Sequence, residues 1–360
     1  MKYDISITKT TTPKEKPTDE SKLGCGTIFT DHMFMMDYSA DKGWYNARII
    51  PFGPIAIHPA STVLQYGAEI LEGLKAYRAA DGTIRMFRPM ENIQRLNRSA
   101  ERLCLPELDE EGALDILNTM VELEKDWVPH SEGTSLYIRP FMYGNDPHLG
   151  VHAVKEATFV VICSPVGAYY PEGLNPVKIA IEAHDVRAVR GGTGYAKCGG
   201  NYAASLRAGE KAEKKGYTQV LWLDGVEQKY IEEVGAMNVM FKIGGKIVTP
   251  ALDSGSILPG ITRKSCLELL RDWGFEVEER KISVDELFAA AASGALEEAW
   301  GTGTAAVVSP IGQLYYQDTS YTLCGGKIGQ TAQKLYDNLT GIQWGKLADT
   351  HGWSHIVCNG

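Results

Sequence analysis

The segment Gly191-Gly192-Thr193-Gly194-Tyr195-Ala196-Lys197-Cys198-Gly199-Gly200-Asn201-Tyr202 constrains this chain more than any other. Five glycines crowd around one lysine. Glycine reaches backbone conformations closed to other residues and lets the chain approach a ligand closely, at an entropic cost. Lysine normally keeps its ammonium in water at the end of a long stem. Held in this setting it reads as a phosphate clamp or as an imine-forming nucleophile. The residues on either side narrow the choice.

A Walker loop needs Gly before the lysine and Ser or Thr after it, to cradle phosphates and hold magnesium. Ala196 and Cys198 stand there instead. Gly301-Thr302-Gly303-Thr304-Ala305-Ala306 fits the dinucleotide pattern in form, but Val307-Val308-Ser309-Pro310 follows it. That reads as the end of a strand, so no helix start is expected there to hold a pyrophosphate. No clustered Cys and His give zinc spacing, so no metal is expected. His32, His58, His148 and His152 read as ordinary histidines.

A net charge of −9 argues against nucleic acid or an anionic membrane as partner. A small anion needs only a local cluster of cations and stays possible. No apolar run approaches the roughly 20 residues of a membrane helix. The polar first residues lack both the apolar core of a signal peptide and the arginines of a transit peptide. Seven cysteines at irregular spacing, with no Cys-x-x-Cys, suit free thiols in a reducing compartment. The expected location is the cytoplasm.

The chain reads as mixed α/β in two parts, without strict βαβ alternation. Residues 1–21 are expected to be a flexible tail, 22–166 a small α/β domain, 167–176 an interdomain loop and 177–360 a larger domain. Strands are expected at Lys75–Tyr77 and Ile84–Phe87 around the Asp81-Gly82 turn, at Ser135–Met142, Thr158–Cys163, Val177–Ala183 and Thr218–Leu223. Val239–Ile243 and Lys246–Val248 flank a Gly244-Gly245 turn. Apolar spacing predicts helices over Pro89–Leu105, Glu110–Trp127, Asn201–Lys215, Thr262–Trp273, Val284–Ala292 and Gln330–Leu339. Leu296–Val308 reads as one further element.

If Lys197 forms an imine with pyridoxal phosphate, the cofactor makes further demands. Its phosphate needs a cation and backbone N–H groups, its ring nitrogen an acid, and its 3-oxygen a donor. Arg88 opens a helix in Phe87-Arg88-Pro89, with proline suited to the first turn. Leu258-Pro259-Gly260-Ile261-Thr262-Arg263 is a glycine followed by a helix start. Gly303-Thr304-Ala305 offers a backbone nest. Glu232 and Glu233 precede an apolar, small-residue stretch. Each feature also has a plain reading: a solvated arginine, a surface Glu-Glu pair, a tyrosine (Tyr202) packed on its helix.

Taken together, the chain resembles the branched-chain amino-acid aminotransferases, fold-type IV pyridoxal-phosphate enzymes of aminotransferase class IV. The likeness runs through Phe29–Met33, Glu72–Tyr77, Tyr137–Pro140, Gly191–Tyr202, Glu233–Asn238, Leu258–Arg263, Gly303–Ala305 and Ala348–Trp353. It implies a two-domain α/β (α+β) fold and a homodimer with shared active sites. It implies transfer of the amino group between L-leucine, L-isoleucine or L-valine and 2-oxoglutarate, with pyridoxal 5'-phosphate as cofactor. Lys197 would be the Schiff-base lysine and the acid/base at the α-carbon. Glu233 would hold the pyridine N–H and Tyr202 the 3-oxygen. Arg88, Gly260, Ile261, Thr262 and Thr304 would hold the phosphate. The substrate carboxylate would meet Thr304 and Ala305, helped by Tyr137 and Arg139. Tyr66 and Leu71 would line the side-chain pocket with Tyr169 or Tyr170, and the partner subunit would add its own copies of Leu149 and Val151. A D-amino-acid aminotransferase or an aminodeoxychorismate lyase would use the same lysine within the same fold.

Three departures from the family stand out. Leu71 replaces a common Phe and Cys25 a common aromatic residue, which implies a roomier apolar wall. Ala306 and Ser309 stand where some members carry a redox Cys-x-x-Cys, so no thiol switch is expected there.

Overall fold

Strand residues point alternately to opposite faces, and in the first part of this chain the two faces have different surroundings. The computed structural model describes residues 2–167, 169 and 174–360. It divides into one unit of Met1–Pro171, Ala196–Gly199 and Gly341–Gly360, and a second of Glu172–Tyr195 and Gly200–Thr340. Of the expected loop 167–176, residues 168 and 170–173, Tyr170 among them, lie outside the described residues. The sequence reading gave all of 177–360 to one domain, whereas 196–199 and 341–360 go with the first unit.

The first unit is built on β1 (Ser6–Ile7), β2 (His32–Ser39), β3 (Gly43–Pro51), β4 (Glu69–Leu71), β5 (Leu74–Arg78), β6 (Thr83–Phe87), β7 (Ser135–Gly144) and β8 (Glu156–Val166). With the C-terminal strand Ser354–Asn359 they form one sheet, ordered β1-β3-β2-β8-β7-β5-β6-C-terminal strand, with β4 also on β7. Three helices accompany it: α1 (Thr62–Tyr66), α2 (Pro89–Leu103) and α3 (Glu110–Leu123). Phe34, Leu74, Ala76, Leu136, Ile138 and Phe159 share a core with Ile93 and Leu96 of α2 and Ile116 and Met120 of α3. The residues between them, among them Lys75, Tyr137, Arg139 and Phe141, therefore lie on the other face, where Met33, Met35, Tyr143 and Val160 form a separate cluster. Helix α3 starts where Asp109 accepts the Gly112 N–H at 2.8 Å, and Glu110 and Glu111 favour the positive end of the helix.

The second unit contains β9 (Val177–Glu182), β10 (Gln219–Leu223), β11 (Ile231–Val234), β12 (Met237–Ile243), β13 (Lys246–Thr249), β14 (Val277–Glu279), β15 (Leu296–Gly303), β16 (Val307–Tyr316) and β17 (Thr319–Thr322). Their order is β11-β10-β9-β16-β15-β12-β13-β14, with β17 on β16. Pairing of β11 with β12 closes six of these strands into a ring. Helices α5 (Ile261–Asp272) and α6 (Val284–Ser293) lie within this unit. Helices α4 (Gly199–Lys214) and α7 (Gln330–Gln343) also belong mostly to it.

Three expectations need correction. Leu296–Val308 is not one element: β15 ends at Gly303, Thr304–Ala306 form a turn, and Val307 opens β16. The helix expected to Trp127 stops at Leu123, and a short 3-10 turn covers Lys125–Trp127. Glu124 is turned inward there, onto the imidazole of His32. The expected tail is packed in part over residues 2–21: β1 pairs with β3, Tyr3 and Ile5 lie against the core, and the Lys14 N–H donates to Asp31 at 2.8 Å. These ties reach partners distant in sequence, which local composition does not reveal.

Candidate active site

In the first unit, the backbone of Lys197 is fixed on both sides. Its N–H donates to Ser99 Oγ at 2.9 Å, and its carbonyl accepts the Leu71 N–H at 2.9 Å. An isolated antiparallel bridge joins Ile70 to Cys198. The Gly199 N–H, one residue on, donates to Glu69 Oε2 at 3.2 Å. So β4 acts as a rail along which the lysine segment is laid, and the Lys197 side chain is half-buried.

Beside it lies a completed ion pair. Glu72 is 1% exposed and accepts Arg95 Nε at 2.7 Å and Nη2 at 2.9 Å, with Asn92 Nδ2 at 2.8 Å and the Gly73 N–H at 3.2 Å. Burial by itself would push this carboxyl up. The charge and hydrogen bonds of Arg95, with the charge of Lys197 behind them, hold it below the usual carboxylate range.

Arg88 caps α2 from a left-handed backbone, φ +48°. Such a conformation costs a non-glycine residue on the order of 1–3 kcal/mol and persists only where neighbours impose it. Here the Arg88 N–H is held by the Trp353 carbonyl at 2.7 Å, and its guanidinium lies 5.0 Å from the Trp353 ring centre. Arg88 Nε donates to Glu91 at 2.7 Å, so an anion arriving at this arginine competes with Glu91.

On the sheet face opposite α2 and α3, Arg139 Nη2 donates to the Tyr137 hydroxyl at 3.0 Å. A Cβ placed on Gly73 would stand 2.1 Å from that hydroxyl, so only glycine leaves it room. Tyr66 (47% exposed), Leu149 (68%), Val151 (85%) and Tyr169 (49%) are exposed in the chain. No hydrogen bond ties Leu149 or Val151 to the other candidates among the described residues.

In the second unit the Glu-Glu pair is buried, at 4% for Glu232 and 3% for Glu233, so the surface reading fails. Strand alternation sends the two carboxylates to opposite faces of β11. Glu233 Oε1 accepts the Leu258 N–H at 2.8 Å, and its Oε2 is 3.1 Å from Arg187 Nε. Glu232 receives the Ser256 hydroxyl. Burial pushes its carboxyl up against the opposing pull of Ser256 and Arg187.

Arg187, which the sequence reading overlooked, also donates to the carbonyls of Gly194, at 3.3 Å, and Ser256. It therefore fastens the glycine-rich loop to the Glu233 strand. Gly194 is needed there because a Cβ would meet the Ser256 carbonyl oxygen at 2.1 Å. Asn201 returns to Thr193 through bonds of 2.8 and 2.9 Å, which sets the first turns of α4 and the half-buried Tyr202.

Asn238, opposite Glu233 in register, donates to the Leu258 carbonyl at 2.9 Å and leads the chain to Gly260. Gly260 caps α5 with no side-chain hydrogen bond, so no cap side chain covers the first N–H groups, those of Ile261 and Thr262 among them. Asn238 also stands opposite Thr302 of β15, and Thr304 and Ala305 form the turn that follows. Val307 closes that turn at φ +61°, a genuine outlier for a β-branched residue. Its neighbour Val308 donates back to the Ala306 carbonyl at 2.8 Å.

The amino-transferase class IV family matches residues 69–314. Branched-chain-amino-acid aminotransferase 2 of Bacillus subtilis (strain 168) is 56% identical over 99% of this chain and 98% of its own. The T.th. branched-chain amino acid aminotransferase with pyridoxamine 5'-phosphate superposes with a TM-score of 0.77 at 26% identity, over 92% of this chain and 100% of that one. The same enzyme complexed with N-(5'-phosphopyridoxyl)-L-glutamate gives 0.75 at 25% identity, again over 92% and 100%.

Proposed function

The chain belongs to the amino-transferase class IV family, and within it to the branched-chain-amino-acid aminotransferases; on that premise we propose that it moves the amino group between L-leucine, L-isoleucine or L-valine and 2-oxoglutarate, with pyridoxal 5'-phosphate as cofactor. The observation that carries the reading is the buried Glu233 carboxylate, held by Arg187 and the Leu258 N–H and acceptor-only while ionised. A protonated ring nitrogen needs such a partner. The α5 start, capped by Gly260 without a side-chain bond, suits a phosphate. A ligand with a phosphate at one end and a ring N–H at the other fits this donor set. When bound, the cofactor supplies an electron-withdrawing ring that stabilises negative charge at the substrate α-carbon.

The chain's own residues supply the rest. Lys197 anchors the cofactor and carries the α-proton on its amine. Tyr202 donates to the 3-oxygen, and Arg88, Gly260, Ile261, Thr262 and Thr304 bind the phosphate. Thr304 and Ala305 receive the substrate carboxylate through their backbone, with Tyr137 and Arg139. Tyr66, Leu71 and Tyr169 form an apolar side-chain pocket, completed in a homodimer by the partner subunit's Leu149 and the partner subunit's Val151. The support for pyridoxal phosphate and for glutamate is the pair of ligands named with the T.th. enzyme.

Lys197→Ala tests the reading. The variant is expected to keep the wild-type circular dichroism and to lose transfer from L-leucine to 2-oxoglutarate by at least about 10⁴-fold, ~5.5 kcal/mol at the barrier. Turnover of D-alanine in place of L-leucine by the wild type, or leucine activity retained in the variant, would overturn it.

A further inference from the structure

The block Ala348–Trp353 belongs to the family likeness, yet the proposed reaction gives it no task. In the first unit it forms a hook that leads into the C-terminal strand Ser354–Asn359. Asp349 ties the hook from within, accepting the Ser354 N–H at 2.6 Å and the His351 N–H at 3.2 Å. Gly352 makes the bend at φ +70°, a conformation that glycine adopts without strain. The strand that follows pairs Ser354 with Phe87 of β6. One residue further along, the Arg88 N–H meets the Trp353 carbonyl at 2.7 Å. The hook therefore ends at the residue where β6 gives way to α2.

The Trp353 side chain is buried, with the residue 6% exposed, and aromatic neighbours fix its ring. Phe87 meets it at 5.6 Å between ring centres and 78° between planes, His351 at 4.3 Å and 68°. The Arg88 guanidinium lies over the same ring, 5.0 Å from its centre. A guanidinium held by an aromatic face keeps its N–H groups, which point outward in its own plane, for other acceptors. Glu91 holds the arginine differently. It accepts from Nε at 2.7 Å and from Nη2, so an arriving anion must share those donors or displace the carboxylate. The ring uses none of them, and its contact does not compete with the anion.

We propose that Trp353 is a positioning residue for the cofactor, holding the Arg88 guanidinium in place when Glu91 yields to the phosphate. The inference rests on the proposed function, in which Arg88 binds that phosphate, and it adds the C-terminal hook to the cofactor site. The hydrogen bond from Arg88 to residue 353 is made by the backbone, so a substitution there removes the ring and leaves that bond.

The test uses full-length holoenzyme prepared with pyridoxal phosphate or with pyridoxal, which has the same ring and no phosphate. Equilibrium dialysis gives a dissociation constant for each. The wild type is expected to bind pyridoxal phosphate at least about 10²-fold more tightly than pyridoxal. Trp353→Leu should weaken pyridoxal phosphate roughly 10-fold and pyridoxal less than about twofold. Trp353→Phe, which keeps an aromatic face, should reduce the loss to about threefold, still confined to pyridoxal phosphate. It carries the same comparison if Trp353→Leu does not fold. In an Arg88→Gln background, replacing Trp353 should add less than about twofold. A merely structural tryptophan would weaken both ligands alike, with or without the arginine. Equal losses for the two ligands, no loss for either, or a full loss persisting in Arg88→Gln would overturn the inference. A wild type that binds pyridoxal as tightly as pyridoxal phosphate would instead strike the proposed function.

Discussion

Glu72 in the first unit and Glu233 in the second are both buried and both matched to an arginine, yet they are built differently. Glu72 meets Arg95 with both oxygens and fills its remaining capacity with Asn92 and the Gly73 N–H. Glu233 meets Arg187 through one oxygen at 3.1 Å, at an angle that leaves Arg187 Nε without a proper hydrogen bond. Its other oxygen takes the Leu258 N–H. The first geometry is that of a structural joint, in which two desolvated charges are neutralised within the protein. The second holds a carboxylate between an arginine side chain and a backbone N–H. On the proposed reading, the first pair maintains the fold and the second serves the chemistry.

Matched substitutions break this comparison most sharply at Glu72. Glu72→Gln leaves the Arg95 charge buried without its counter-ion and is expected to cost about 3–5 kcal/mol of stability, read from urea unfolding. The acid limb gives a second check. Because the folded-state carboxyl is held below its ordinary value, its stabilisation is complete above a pH of about 4.5 and is lost as pH falls through the depressed value. Glu72→Gln should flatten that part of the stability curve. An unchanged acid limb would show that Glu72 is not the joint described.

Glu233→Gln should separate the two roles from the other side. The amide keeps an oxygen for the Leu258 N–H but loses the charge that matches a ring N–H. The expected result is a fall in kcat of about 10²-fold, ~2.7 kcal/mol, with a smaller loss of stability than in Glu72→Gln. Stopped-flow rates with L-leucine and unfolding midpoints on the same samples decide it. A variant that unfolds as readily as Glu72→Gln while retaining its rate would reverse the assignment of the two pairs.

What the sequence made legible follows this division. Lys197, with its ring of glycines, and the helix starts at Pro89 and Ile261 carry local signals: crowding by small residues, proline at a first turn, glycine at a cap. The strands around Asp81-Gly82 and Gly244-Gly245 are marked by their turns. By contrast, Arg187 lies seven residues before Gly194 with no periodicity to distinguish it from Arg190, and its importance arises only when Ser256 and Glu233 fold against it. Ser99, which holds the Lys197 N–H, is one polar residue inside an amphipathic helix. Strands β2 and β3 went unread because their apolar residues are interrupted by Asp37, Asn46 and Arg48. Asp37 and Arg48 are paired at 2.7 Å across the strands, which no single-strand pattern exposes.

Gly73 is where the structural joint meets the sheet face that carries Tyr137 and Arg139, and it yields the mildest of the expected effects. Its N–H is bound by Glu72, so its backbone cannot retreat, while its missing side chain makes room for the Tyr137 hydroxyl. A methyl group in Gly73→Ala must displace one or the other. The Glu72 pair is buried and satisfied on every side, whereas the tyrosine ring is only half-buried and can swing about its χ angles. The ring should therefore give way, carrying the Arg139 contact with it. Stability should fall by less than about 1 kcal/mol, and KM for L-leucine should rise roughly fivefold with kcat little changed, about 1 kcal/mol of binding. The opposite split, an intact KM with a loss of several kcal/mol of stability, would mean that the joint yields before the tyrosine does, and that the first unit's ion pair is the softer of the two elements meeting at Gly73.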